Sequence, residues 1–261
     1  MNIIAKELIE FHPMQVVFFR SIGTFILIFP YMIFTGVSIL GKQKKLLVLR
    51  SVVGMISLSC FFFAIQRIPL GSAVSIRYLG PFFGALLAIQ FLNEKVNAKQ
   101  WLSFVLAFSG VLVLKGFDLR IDNLSFILLI ISAILVGAVF VLVRFLSAIE
   151  HYLTIINYFM VFGMLGGLLF YPYWIWPQPE RYILIALLGI TGMVGQIFMT
   201  LAFKESEATV LAPFKYMELV FALGLAYILY GESYSLLPIL GITVIIAGVL
   251  LNVMFKRSSN H

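Results

Sequence analysis

Five charged side chains stand inside long apolar stretches: Arg20, Arg77, Arg144, Lys215 and Glu218. Charge in hydrocarbon costs on the order of 3 kcal/mol per residue, so such groups usually face a cavity or a partner. Arg77 and Lys215 are each followed by a tyrosine, Tyr78 and Tyr216. Two cations beside two phenols suit an anionic group held by charge-assisted hydrogen bonds. Glu218 lies one helical turn after Lys215, placed to neutralise it, to contact a substrate amine or to carry a coupling proton. A competing reading pairs Lys215 with Glu218 and leaves Arg77 to snorkel or to bond carbonyls. Arg20, near the start of its stretch, is expected to reach the external interface. Arg144, near the end of its stretch, is expected to snorkel to the cytoplasm.

The elements that carry these residues are duplicated. Ala64 to Gly110 aligns without a gap on Ala202 to Gly248 at an offset of 138, matching Arg77 to Lys215, Tyr78 to Tyr216, Glu94 to Glu232 and Gly110 to Gly248. Gly54 and Met55 extend the match to Gly192 and Met193. A period this long is a doubled half, not a solenoid repeat. Apolar runs predict helices over 14–36, 46–66, 70–92, 99–117, 123–147, 153–175, 181–203, 208–230 and 235–255, each close to the twenty or so residues that cross a hydrocarbon core. Residues 1–9 align with 139–147, Lys6 with Arg144 and Leu8 with Leu146, so the chain is expected to begin inside a first helix whose opening turns are missing. The expected fold is all-α: a polytopic membrane protein of two inverted five-helix repeats, 1–117 with its first helix truncated and 122–256. An odd number of spans per half inverts the second half, and Arg77 and Lys215 then approach the midplane from opposite leaflets.

Composition supports a membrane location. Hydrophobic residues make up 62% of the 261-residue chain and charged residues 11%, more apolar surface than a soluble domain of this size can hide. Lys42, Lys44, Lys45, Arg50, Lys95, Lys99, Lys204, Lys256 and Arg257 fall on one side of the spans, and Lys6, Arg67, Lys115, Arg120 and Arg181 on the other. The positive-inside rule puts the first set and the C-terminus in the cytoplasm. The net charge of +7 is read as topology, not as a nucleic-acid surface. Tyr171, Tyr173, Trp174 and Trp176 with Pro172, Pro177 and Pro179 read as an external interfacial belt. Glu94 and Glu232 read as caps or loop-ordering groups beyond helix ends. Pro81 and Pro213 can kink the cation-bearing helices.

Other chemistry is poorly supplied. His12, His151 and His261 have no metal-ligand spacing. Cys60, the only cysteine, sits in a span and offers no intrachain disulfide. The chain has no P-loop, no outstanding carboxylate pair and no motif that calls for a cofactor.

Each half also carries a helix ending in Glu, a short loop and a helix closing in Gly-Val-Leu: FLNEKVNAKQWLSFVLAFSGVLVL and LYGESYSLLPILGITVIIAGVLL. With the opening HPMQVVFFRS, this pattern resembles the drug/metabolite transporter superfamily, in its EamA-type permease branch, over almost the whole chain. The resemblance implies ten helices in two inverted repeats, a central cavity, cytoplasmic termini and transport of small metabolites without ATP hydrolysis. The expected function is alternating-access transport of a small polar metabolite, bearing a carboxylate or phosphate, around Arg77, Tyr78, Lys215, Tyr216 and Glu218. The bilayer, a coupling proton or ion and a second copy of the chain are the partners this reading admits. A membrane scaffold or receptor without flux is the alternative, and a membrane-embedded enzyme on lipid-linked substrates is a third reading.

Overall fold

The structure, a computed structural model, describes residues 1–80, 82–84, 86–87, 98–205 and 221–258. Its elements are helices: α1 Asn2–Glu7, α2 Pro13–Thr35, α3 Lys44–Ile65, α4 Leu70–Arg77, α5 Ala98–Phe117, α6 Asn123–Ser147, α7 Tyr152–Leu168, α8 Tyr182–Glu205, α9 Phe221–Tyr230 and α10 Leu236–Ser258. Helices are what such apolar runs must form where no water can satisfy the backbone. Among the described residues, Pro13–Thr35, Lys44–Ile65, Asn123–Ser147 and Pro179–Ala202 are long and apolar enough to cross a membrane. Their outer faces carry exposed Ile26, Leu27, Ile33 and Phe34 on α2 and Ile127, Ile131 and Ile134 on α6, a surface suited to lipid.

The expected 153–175 helix stops at Leu168. Trp174 folds back there, its Nε1 donating to the Gly167 carbonyl at 3.3 Å, while Pro172 enters a 3-10 turn over Tyr171–Tyr173. The aromatic loop is tied to α2 as well as being exposed at Tyr173 and Trp176. Gln15 Nε2 donates to the Ile175 carbonyl at 2.6 Å and Gln15 Oε1 accepts from Ile175 N at 3.1 Å. Of the expected 70–92 helix, Leu70–Arg77 forms α4 and the backbone is helical again at 82–84 and 86–87.

The chain divides into two compact units. The first holds Met1–Phe62 and Val139–Glu205, the second Phe63–Ala138 and Ser206–His261. Each therefore draws on both halves of the duplication.

In the first unit α2 packs on α7 and α8. The two helices α2 and α7 begin alike: His12 Nδ1 accepts from Met14 N and His151 Nδ1 accepts from Leu153 N, both at 3.3 Å. These N-caps satisfy orphan amides of the first turn. They also show that α2 and α7 correspond at an offset of 139, one more than the 138 relating the starts of α3 and α8 at Lys44 and Tyr182. Gly163 faces Ser21 and Val17, and Gly167 faces Phe18 and Met14, so the equivalent helices α2 and α7 run antiparallel.

In the second unit α5 and α10 form a close seam. A Cβ at Gly110 would lie 2.7 Å from the Gly241 oxygen and 2.7 Å from Ile245 N, and one at Gly248 would lie 2.5 Å from Ala107 N and 2.8 Å from the Ser103 oxygen. The 138-residue offset carries Ser103 to Gly241, Ala107 to Ile245 and Gly110 to Gly248, which turns one set of contacts into the other. Glycine is used here because any side chain would hold the backbones apart. Equivalent helices that exchange contacts while antiparallel are related by a two-fold axis across their length, the relation an inverted duplication requires.

Candidate functional site

In the first unit two arginines are buried in helices of membrane-spanning length. Arg20 lies about two turns into α2 and Arg50 about two turns into α3, and each is 1% exposed. Both guanidiniums face one ring, Phe159 of α7: the Arg20 Cζ lies 5.3 Å and the Arg50 Cζ 4.2 Å from its centroid. A cation over an aromatic face gains about 0.5–2 kcal/mol, more when desolvated. The two charges therefore stand within roughly 10 Å of each other, about one Debye length in 0.1 M salt, in a setting that salt screens poorly.

The walls are made by α8 and by glycine. Gly192 lies against Arg20: a Cβ there would sit 3.0 Å from Arg20 Cγ and 3.1 Å from Arg20 Nε. One turn on, Gln196 Oε1 accepts from Arg50 Nη2 at 3.1 Å. On α3, a Cβ at Gly54 would lie 3.1 Å from Phe159 Cε2 and 3.5 Å from Arg50 Nη1. Gly54 and Gly192 are equivalent in the duplication, and so, at the offset of α2 and α7, are Arg20 and Phe159. Two like niches thus face each other, one filled by a cation and one by a ring. Arg50 breaks the symmetry, since its equivalent is Leu188, fully buried.

Hydrogen bonding at Arg50 is incomplete. A guanidinium has five N–H donors. Gln196 receives from Nη2, while Nε and Nη1 are buried with no hydrogen-bond partner among the described residues. Arg20 Nε donates to the Met1 sulfur at 3.2 Å. Asn157 Oδ1 is also buried without a partner, but two residues on a helix are about 200° apart, which turns it away from the Phe159 face.

The second unit holds a polar network of the opposite kind. Asp118, just past α5, is 3% exposed. It accepts from Ser72 Oγ at 2.6 Å and from Arg120 Nε and Nη2 at 2.7 and 3.1 Å. Burial pushes the Asp118 carboxyl up, but the bonds from Arg120 and Ser72 outweigh it and hold the group below its ordinary value. Arg120 lies 4.7 Å from the Tyr234 ring centroid. The Tyr234 hydroxyl donates to Glu232 Oε2 at 3.1 Å, and Glu232 Oε1 accepts from Leu70 N, the first residue of α4, also at 3.1 Å. Burial, then the Glu232 charge, raise the Tyr234 phenol.

The expected site residues fall as follows. Arg77 is the last residue of α4, half-buried, and Tyr78, 7% exposed, continues the helical backbone. Lys215, Tyr216 and Glu218 lie outside the described residues, as do Pro81, Pro213 and Glu94. Arg144 is exposed near the end of α6. Arg20 differs from expectation: it is buried against Gly192 and Phe159, not extended to an interface. Arg50 differs too. Its place among the loop charges does not hold, because α3 begins at Lys44 and carries it into the apolar interior. The readable signal was an arginine already inside an apolar run.

The EamA-like transporter family matches residues 1–115 and 123–254. The chain is 31% identical over 258 residues to the pseudopaline exporter CntI of Pseudomonas aeruginosa (strain UCBPP-PA14), covering 97% of this chain and 90% of that protein. It is 25% identical over 250 residues to an S-adenosylmethionine uptake transporter of Rickettsia prowazekii (strain Madrid E), covering 95% and 85%. A crystal structure aligns over 96% of this chain and 90% of that one with a TM-score of 0.69 at 15% identity, a likeness of fold.

Proposed function

The chain belongs to the EamA-like transporter family, of the drug/metabolite transporter type, and from that premise we propose that it carries a small polar metabolite bearing a carboxylate or phosphate across the cell membrane by alternating access. The observation that carries this reading is Arg50, a cation buried in a membrane-length helix with two donors unmet among the described residues. A protein that only holds its fold gains nothing from such a group. The relatives' names cover an exporter and an uptake transporter of different solutes, so the solute class here is drawn from the site: an amino acid, S-adenosylmethionine or a similar metabolite. The two matched stretches are the two repeats, the C-terminus is cytoplasmic, and the driving force is an ion gradient or the solute's own gradient. Arg77 with Tyr78, and Lys215, Tyr216 and Glu218, form a second set of solute-contacting candidates.

Counterflow of a labelled metabolite mixture into proteoliposomes tests the transport reading. An anionic or zwitterionic solute is expected to exchange in wild type and not in empty liposomes. A non-transporting scaffold would move no member of a broad panel at any imposed proton or sodium gradient.

A further inference from the structure

We propose that Arg50 receives the anionic group of the transported solute, an oxyanion that accepts from its Nε and Nη1 beside the Phe159 ring, with Arg20 as a second cation on the same ring. This rests on the transporter reading and adds the contact that reading lacks.

The unmet donors come first. Arg50 is 1% exposed and keeps Gln196 as its hydrogen-bond partner. A buried charge persists in a fold when paired and hydrogen-bonded, and otherwise costs several kcal/mol. Two carboxylates of this unit, Glu150 and Glu10, are engaged elsewhere. Glu150 accepts from the backbone of Lys42 and Gln43 at 2.6 and 2.5 Å, and Glu10 pairs with Arg181 at 2.6 Å. No carboxylate among the described residues lies within ion-pair distance of Arg50.

The shape of the niche is the second argument. Gly54 places no side chain of its own helix over Arg50 Nη1 or the Phe159 edge; a Cβ there would press on Phe159 Cε2 at 3.1 Å and lie in ordinary contact with Arg50 Nη1 at 3.5 Å. The equivalent Gly192 niche is already filled by the Arg20 stem. Of the two symmetry-related niches, the one at Gly54 holds the Phe159 ring and has at its edge Arg50 Nη1, a donor without a hydrogen-bond partner among the described residues.

The third argument is charge. Two guanidiniums share one ring, so a cationic solute without an anionic group is repelled and one that bears a carboxylate or phosphate is drawn in, with its oxyanion toward Arg50. The other polar clusters do not compete. The Asp118 carboxylate is satisfied by Ser72 and Arg120.

The test reads binding without transport. Full-length protein in lipid nanodiscs is titrated with sodium glutamate, sodium succinate and inorganic phosphate at constant ionic strength, with sodium chloride as the baseline, while thermal unfolding is followed. Wild type is expected to gain stability saturably with at least one oxyanion. The response to carboxylates against that to phosphate tells which oxyanion the site takes. Arg50→Gln is expected to weaken the apparent affinity at least tenfold, Arg50→Lys less, and Gly54→Ala several-fold with the charge intact. The proposal is overturned if no oxyanion stabilises wild type, or if a folded Arg50→Gln responds as wild type does. Should Arg50→Gln not fold, an unchanged response in both Arg50→Lys and Gly54→Ala overturns it. Counterflow that survives in Arg50→Gln would sink this site and leave the transporter reading standing. Absence of counterflow in wild type would sink the transporter reading instead.

Discussion

The two units handle buried charge in opposite ways. In the second, Asp118, Arg120, Ser72, Tyr234 and Glu232 close on one another, and each acceptor has a donor. In the first, Arg50 holds donors buried beside an aromatic ring with no acceptor for them among the described residues. A satisfied network secures helix ends and loops. An unsatisfied cation is a cost the fold carries for a visitor that supplies the missing acceptor. Burial alone would rank Asp118 and Arg50 together, and hydrogen bonding separates them.

The largest expected effect opposes stability and activity at Arg50. Arg50→Met should abolish counterflow yet leave thermal stability unchanged or raised, since holding a guanidinium out of water costs several kcal/mol that an apolar side chain does not. Asp118→Leu should do the reverse in the second unit, breaking the bonds from Arg120 and Ser72 and lowering stability by about 2–3 kcal/mol, with counterflow retained in the folded fraction. If the two substitutions move melting temperature in the same direction, the contrast between the units fails.

The next effect is steric. Gly192→Ala places a methyl 3.0 Å from Arg20 Cγ and should cut counterflow about tenfold, one such factor being 1.4 kcal/mol, with little change in unfolding. A third effect is acid sensitivity. The Asp118 carboxyl sits below its ordinary value in the fold, so its contribution is complete above the unfolded pKa near 4 and is lost as pH falls through the folded value. Thermal melts between pH 6 and pH 3 should show an acid limb that Asp118→Asn flattens. The smallest effect concerns His12, whose imidazole is held below its usual value by burial and accepts from Met14 N. Protonation removes that acceptor, so about 0.5–1 kcal/mol of capping should fade as pH drops below about 6.5. His12→Ala should remove that step.

Much of the frame was legible in the sequence because apolar length and an ungapped duplication are local, countable signals. The starts of α3 and α8 at Lys44 and Tyr182 keep the 138-residue offset seen between Ala64 and Ala202. The one-residue slip at His12 and His151 appeared only with their matching caps. The end of α7 differs from the apolar run because Trp174 closes it through tertiary packing on Phe18 and Phe19. The arginine cluster was hidden for two reasons. Arg50 follows Lys42, Lys44 and Lys45 closely and reads as one more loop charge. Arg20 reads as interfacial because its wall, Gly192, is far along the chain. Arg77 and Tyr78 were placed in a helix, while Lys215, Tyr216 and Glu218 lie outside the described residues.

The glycine seam between α5 and α10 has a consequence for synthesis. Its first face, with Ser103, Ala107 and Gly110, leaves the ribosome well before Gly241, Ile245 and Gly248 exist. At about 5–20 residues per second, that interval is on the order of ten seconds. During it, a helix shaped for another backbone stands in the bilayer with its groove filled by lipid chains or by the insertion machinery. α10 therefore closes this seam by displacing whatever occupied that groove, so the seam locks only once α10 has been made, and not when the first half emerges.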